Sequence, residues 1–141
     1  MKPKIWFLTL LLITSFFGCD EYMNDVDYND EYVLPVTKSV KTSDSWYFIR
    51  FDSVFTDSRC PQDVICVWEG VAGLRFTVSD IFQSSDTFEL YTMNNPNLQM
   101  GDSTVFRNLK IKLVALQPHL SSNKQLSYSD YKAKIKVTKL N

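Results

Sequence analysis

Three cysteines, one histidine and a short charged cluster are the residues of this 141-residue chain whose chemistry could go beyond packing. Cys60 and Cys66 bracket the segment CPQDVIC. That spacing is not the Cys-x-x-Cys of a dithiol oxidoreductase, and two sulfurs with the single distant His119 cannot complete a tetrahedral zinc shell without outside ligands. His119 follows Pro118 and reads as a loop histidine; a lone imidazole with no identifiable nucleophile or second base is weak ground for catalysis. Asp57, Arg59 and Asp63 lie in and beside the cysteine loop, close enough in sequence for a local ion-pair or hydrogen-bond network. A calcium ion takes about six or more oxygens, and these carboxylates do not follow the spacing of a calcium loop. Neither a metal nor a cofactor is expected. Arg59 at the rim of a constrained loop also suits a protease-facing residue, so an inhibitor acting through residues 57–66 is one reading.

Two further groups carry binding chemistry. Lys110, Lys112, Lys132, Lys134 and Lys136 alternate with apolar residues in two C-terminal segments. If those segments pair, the lysines form a cationic stripe suited to lipid headgroups, acidic glycan or an acidic protein surface. The plainer alternative is a solvated face or a charged edge that resists strand addition. Trp46 and Phe48 alternate with an apolar face and so point outward, with Tyr91 near them, as a carbohydrate-stacking or protein-docking patch unless a second sheet covers them.

These residues need a scaffold, and composition points to one domain. The chain is 45% hydrophobic and 14% aromatic with a formal net charge of −1. This excludes the basic signature of a nucleic-acid binder and the charge excess of a disordered chain. Runs of period two, rich in β-branched and aromatic residues, predict an all-β protein, a compact antiparallel β-sandwich or small barrel of six to eight strands. Tyr47, Ile49, Phe51 and Phe55 are expected on one face, against Arg50 and Asp52. Leu74, Phe76 and Val78 alternate with polar residues, as do Ala133, Ile135 and Val137 with lysines. Phe106, Leu109, Leu113 and Leu116 fall at helical spacing, yet Leu109, Ile111 and Leu113 also alternate with Lys110 and Lys112, and a strand is the favoured reading.

The first 18 residues place Lys2 and Lys4 before the apolar run IWFLTLLLITSFF and Gly18. That run is shorter than the roughly 20 residues a membrane-spanning helix needs, so it reads as a secretory signal. Phe16-Phe17-Gly18-Cys19 resembles the lipobox of bacterial lipoproteins, though Phe16 and Phe17 depart from the usual Leu-like and small residues. The resemblance implies that Cys19 becomes the first mature residue and carries lipid, and that the protein is anchored to the outer membrane. Asp20, Glu21, Asp25, Asp27, Asp30 and Glu31 follow with no base among them. Residues 19–31 are therefore expected to form a solvated acidic tether ahead of a single β domain at 32–141. An acidic cluster behind the lipidated cysteine is similar to the surface-export signal of Bacteroidetes-type lipoproteins. Ten acids against thirteen bases in residues 32–141 leave that domain mildly cationic.

With Cys19 assigned to lipid by that resemblance, Cys60 and Cys66 form an even pair outside the reducing cytoplasm, and a disulfide is expected. If residues 64–78 start extended, Cys66 and Trp68 share a side and the indole covers the sulfurs. The run DSRCPQDVICVWEG, residues 57–70, resembles a signature of small bacterial envelope lipoproteins, and the segments 113–118 and 131–137 look similar to that group's last strands. The resemblance implies fold and compartment and assigns no chemistry. The expected function is a non-enzymatic lipoprotein that docks on an envelope protein or larger assembly, with a glycan or small-ligand binder as the alternative beside the inhibitor.

Overall fold

The computed structural model describes residues 23–141, and the alternating segments make nine strands among them. They are β1 (Met23–Val26), β2 (Glu31–Pro35), β3 (Ser39–Thr42), β4 (Tyr47–Asp57), β5 (Ala72–Asp80), β6 (Ser85–Tyr91), β7 (Ser103–Phe106), β8 (Leu109–Gln117) and β9 (Lys132–Lys139). One sheet runs β1-β3-β4-β5-β6 and the other β2-β9-β8-β7, so the protein is an all-β sandwich. Every pairing is antiparallel except β1 with β3, which is parallel. No helix among the described residues is long and apolar enough to cross a membrane.

The core forms where the apolar faces meet. Ile49, Phe51, Leu74, Phe76 and Val78 from the first sheet lie against Leu34, Leu109, Ile111, Ala133, Ile135 and Val137 from the second, all fully buried. Phe51 stacks on its cross-strand neighbour Phe76 with ring centroids 5.0 Å apart. Burying each such side chain contributes about 1.5–3 kcal/mol, which is why these positions set the strand registers.

Bulges explain where the sequence pattern misleads. The β4–β5 register shifts between Phe51 and Ser53 and again between Val54 and Thr56. The first shift turns Val54 toward the core, and Phe55, expected beside Ile49 and Phe51, faces outward instead. There its ring lies over Gly73, where a Cβ would come within 2.4 Å of it. A third shift between Leu113 and Ala115 brings both Leu113 and Leu116 inward, producing a spacing that imitates a helix within strand β8.

The acidic segment corrects the expected domain boundary. From Met23 onward the chain is part of the sandwich rather than a solvated tether: β1 lines the edge of β3, Val26 is buried, and Glu31 begins β2. Asp25 pairs with Lys41 at 3.4 Å and Glu31 pairs with Lys134, so bases from the body neutralise two of the acids. The signal segment, Cys19 and the first tether residues lie outside the described residues.

Candidate functional site

The cysteine loop is the extended tip of the β4–β5 hairpin. Ser58 N–H donates to Val71 O at 2.9 Å and Cys60 N–H to Glu69 O at 2.7 Å, continuing the ladder past the last paired residues. Gly70 is required at the root, because its φ is +69° and a Cβ would stand 1.8 Å from Ser58 O. Cys60 and Cys66 form the expected disulfide, closing the tip with Cα atoms 6.0 Å apart.

Two polar clamps fix this tip to the opposite sheet. Arg59 is buried; its Nε and Nη2 donate to the two Asp57 carboxylate oxygens, each at 2.8 Å. Nη1 and Nη2 also donate to Leu116 O and Pro118 O at 2.6 and 3.0 Å, where β8 ends at a cis Gln117–Pro118 bond. The Arg59 backbone N–H and Tyr131 O–H add further donors to Asp57 at 3.3 and 3.0 Å. Burial works against the Asp57 charge, but Arg59 and Tyr131 outweigh it and hold the carboxyl below its usual range. Asp63, expected to join this network, instead receives Ser122 N–H at 2.8 Å, and Gln62 N–H donates to Leu120 O. Arg59 thus cannot serve as an exposed binding or protease-facing residue: its guanidinium is an internal tie.

The tip itself is apolar and unprotected. Ile65 and Val67 are 103% and 107% exposed, Trp68 59% and Val64 44%. The strand expected to set Trp68 beside Cys66 does not form: residues 64–71 leave the strand path, β5 begins only at Ala72, and both residues are exposed. His119 is exposed and borders an open depression of about 470 Å³ behind the loop, shared with Arg59, Cys60, Gln62, Glu69 and Thr92.

The lysines come together as expected on the outer face of the second sheet. Lys112 stands directly opposite Lys136, Lys110 opposite Thr138, Lys134 opposite Ala115, and Lys132 opposite Gln117. Only one pair is therefore like against like, which limits the repulsion. Lys112 reaches Asp102 at 3.4 Å and Lys134 meets Glu31, whereas Lys110, Lys132 and Lys136 form no ion pair among the described residues. Exposed Val33, Val105 and Val114 lie among them.

Trp46 lies at the other end of the sandwich, in the β3–β4 turn. It is exposed and meets exposed Phe82 at a centroid distance of 5.8 Å. Tyr91 is not near it and packs instead against Phe55 on the outer face of the first sheet. Below Trp46 an opening of about 280 Å³ is bordered by Tyr47, Asp80, Phe82, Arg107 and Lys139. Sequence reasoning missed Asp44 at this end, which accepts from Tyr28 O–H, Thr42 O–H, Trp46 N–H and Lys139 Nζ. Burial opposes its charge, yet these donors hold its carboxyl far below the usual range. It also missed Ile65 and Val67, whose signal was a run of apolar residues beside a proline turn and too short to make a strand.

Comparison with protein-family models, with curated proteins and with solved structures finds no match for this chain.

Proposed function

We propose that this protein is a non-enzymatic, outer-membrane-anchored lipoprotein that docks an acidic envelope protein on the outer face of its β2-β9-β8-β7 sheet. The observation that carries the reading is the lysine face: five ammonium groups and three exposed valines share one sheet surface, with only two of the lysines in ion pairs among the described residues. Such a surface offers charge complementarity for steering and apolar area for contact. The lipobox-like Phe16-Phe17-Gly18-Cys19 supplies the anchor in this reading. Pull-down of the native protein from its own membranes tests it. A stoichiometric partner should be lost when Lys110, Lys112 and Lys132, all exposed, are changed to Glu. A partner retained by that variant, or a chain that comes down alone, overturns it.

The exposed Trp46–Phe82 pair beside Arg107 and Lys139 favours a second reading, a glycan-binding surface. Glycan titration monitored by tryptophan fluorescence should then respond in the parent and fail in Trp46→Ala.

A further inference from the structure

We propose that the disulfide-closed tip, through Ile65, Val67 and Trp68, enters the interfacial layer of the bilayer to which Cys19 ties the chain. The inference rests on the lipid anchor of the preceding reading and assigns a role to a loop which that reading leaves unused. Its basis is direction and reach. Strand β1 runs parallel to β3 with Met23 opposite Val40, and Val40 lies opposite Ile49 of the antiparallel β4. Going backward from Met23 along β1 therefore means moving along β4 from Ile49 toward Asp57, the end that carries the cysteine loop. Cys19 precedes Met23 by four residues, and four residues span at most about 14 Å. If Cys19 is lipidated, the membrane surface passes within roughly that distance of Met23, the loop-facing end of β1.

The loop reaches the same region. From Val78, opposite Ile49, to Ala72, opposite Asp57, β5 covers about 20 Å at about 3.3 Å per residue, and the tip projects beyond that. An anchor so short, attached at the loop-facing end of β1, holds that end of the sandwich and its projecting tip at the bilayer. The chemistry of the tip fits. Two fully exposed aliphatic side chains and an indole suit the boundary where acyl chains meet headgroups, a region that favours tryptophan. Lys124, two residues after the Ser122 that Asp63 holds, puts an ammonium at this end for a phosphate. The loop also carries two carboxylates, Asp63, which accepts from Ser122, and Glu69, neither in an ion pair among the described residues. The disulfide and the Arg59 clamp keep the tip from folding back to hide its apolar side chains.

Trp46 and Trp68 sit at opposite ends of the sandwich and are the only tryptophans after Cys19, which supplies an internal control. The full chain, purified from membranes, is reconstituted into vesicles of phosphatidylethanolamine and phosphatidylglycerol with brominated acyl chains. In Trp46→Phe, which reports Trp68, emission should shift to the blue and be quenched several-fold. In Trp68→Phe, which reports Trp46, neither should change. Adding Ile65→Asp and Val67→Asp to the Trp46→Phe chain should abolish the quenching, since neither side chain packs against the fold. Vesicle flotation and the intact mass at Cys19 separate the two ideas. An anchored, lipid-modified chain whose Trp68 is unquenched overturns the insertion and leaves the anchor standing. A chain that neither floats nor carries lipid at Cys19 overturns both. Blue-shifted Trp68 emission in native membranes without bromine quenching in vesicles marks a protein covering the tip and also overturns the insertion.

Discussion

Arg59 turns its guanidinium inward and joins three parts of the chain that are far apart in sequence: its own loop, the end of β8 and, through Asp57, Tyr131. Arg59→Ala should cost about 3–5 kcal/mol in denaturant unfolding, because Asp57 would keep its charge in a buried site without its partner. Arg59→Lys should recover only part of this, since an ammonium cannot reproduce the forked contact. Asp44 and Asp57 give the protein an acid limit. Both carboxyls are held below their usual range in the folded state, so the stability they contribute is fully present above the unfolded value, near pH 4, and is lost as pH falls below it. The thermal midpoint should change little from about pH 7 to 5 and drop below about pH 4, with a shallower drop in Asp57→Asn. The Asp57–Arg59 pair was legible because its members lie two positions apart in one loop. Asp44 was not, because its partners Tyr28 and Lys139 are 16 and 95 positions away. Burial of Arg59 was likewise hidden, since the carbonyls that hold it belong to β8.

At the scale of elements, the cysteine loop is a hairpin end reinforced covalently. Closing seven residues stabilises the fold by about 2.4 kcal/mol in the chain-entropy account, so Cys60→Ala should lower the melting temperature without abolishing folding. An unchanged melting temperature in both reduced and oxidised samples would refute a stabilising role. Gly70→Ala should also lower it, because the added methyl meets Ser58 O and the positive φ disfavours any side chain. Strand identity was legible wherever alternation persists, as in β5, β9 and the part of β8 before its shift at Leu113. It failed at Trp68 and Phe55 for one physical reason: a bulge or a departure from the ladder shifts every later side chain, and neither leaves a mark in the alternation before it. The acidic segment failed differently. Its charges suggested solvation, whereas Val26 and Tyr28 supply enough apolar surface to dock it, and Lys41 and Lys134 offset part of the charge.

Across the whole molecule, three surfaces differ in chemistry: an apolar tip at one end, an aromatic pair at the other and a lysine face between. The lysine face was readable from alternation alone, because β8 and β9 pair as their pattern required. Its assembly with β2 was not, since that neighbour comes from a hundred residues earlier in the chain. Deleting residues 1–26 should expose the edge of β3 and the surface Val26 covers, lowering the denaturation midpoint and promoting association through the bared edge. Size-exclusion chromatography beside chemical unfolding measures both effects.

The parallel seating of β1 on β3 also decides how the domain bears load. Tension applied at Met23 along the axis of β1 loads the evenly spaced, slanted bonds that join the two parallel strands in shear. It therefore strains those bonds together, whereas a pull from the Val26 end would open them one after another. A force spectrometer gripping the chain ahead of Met23 should record a higher rupture force than one pulling β1 away from its Val26 end. Such a join resists shear while yielding to peeling, and it faces its strong direction toward the segment that leads to Cys19.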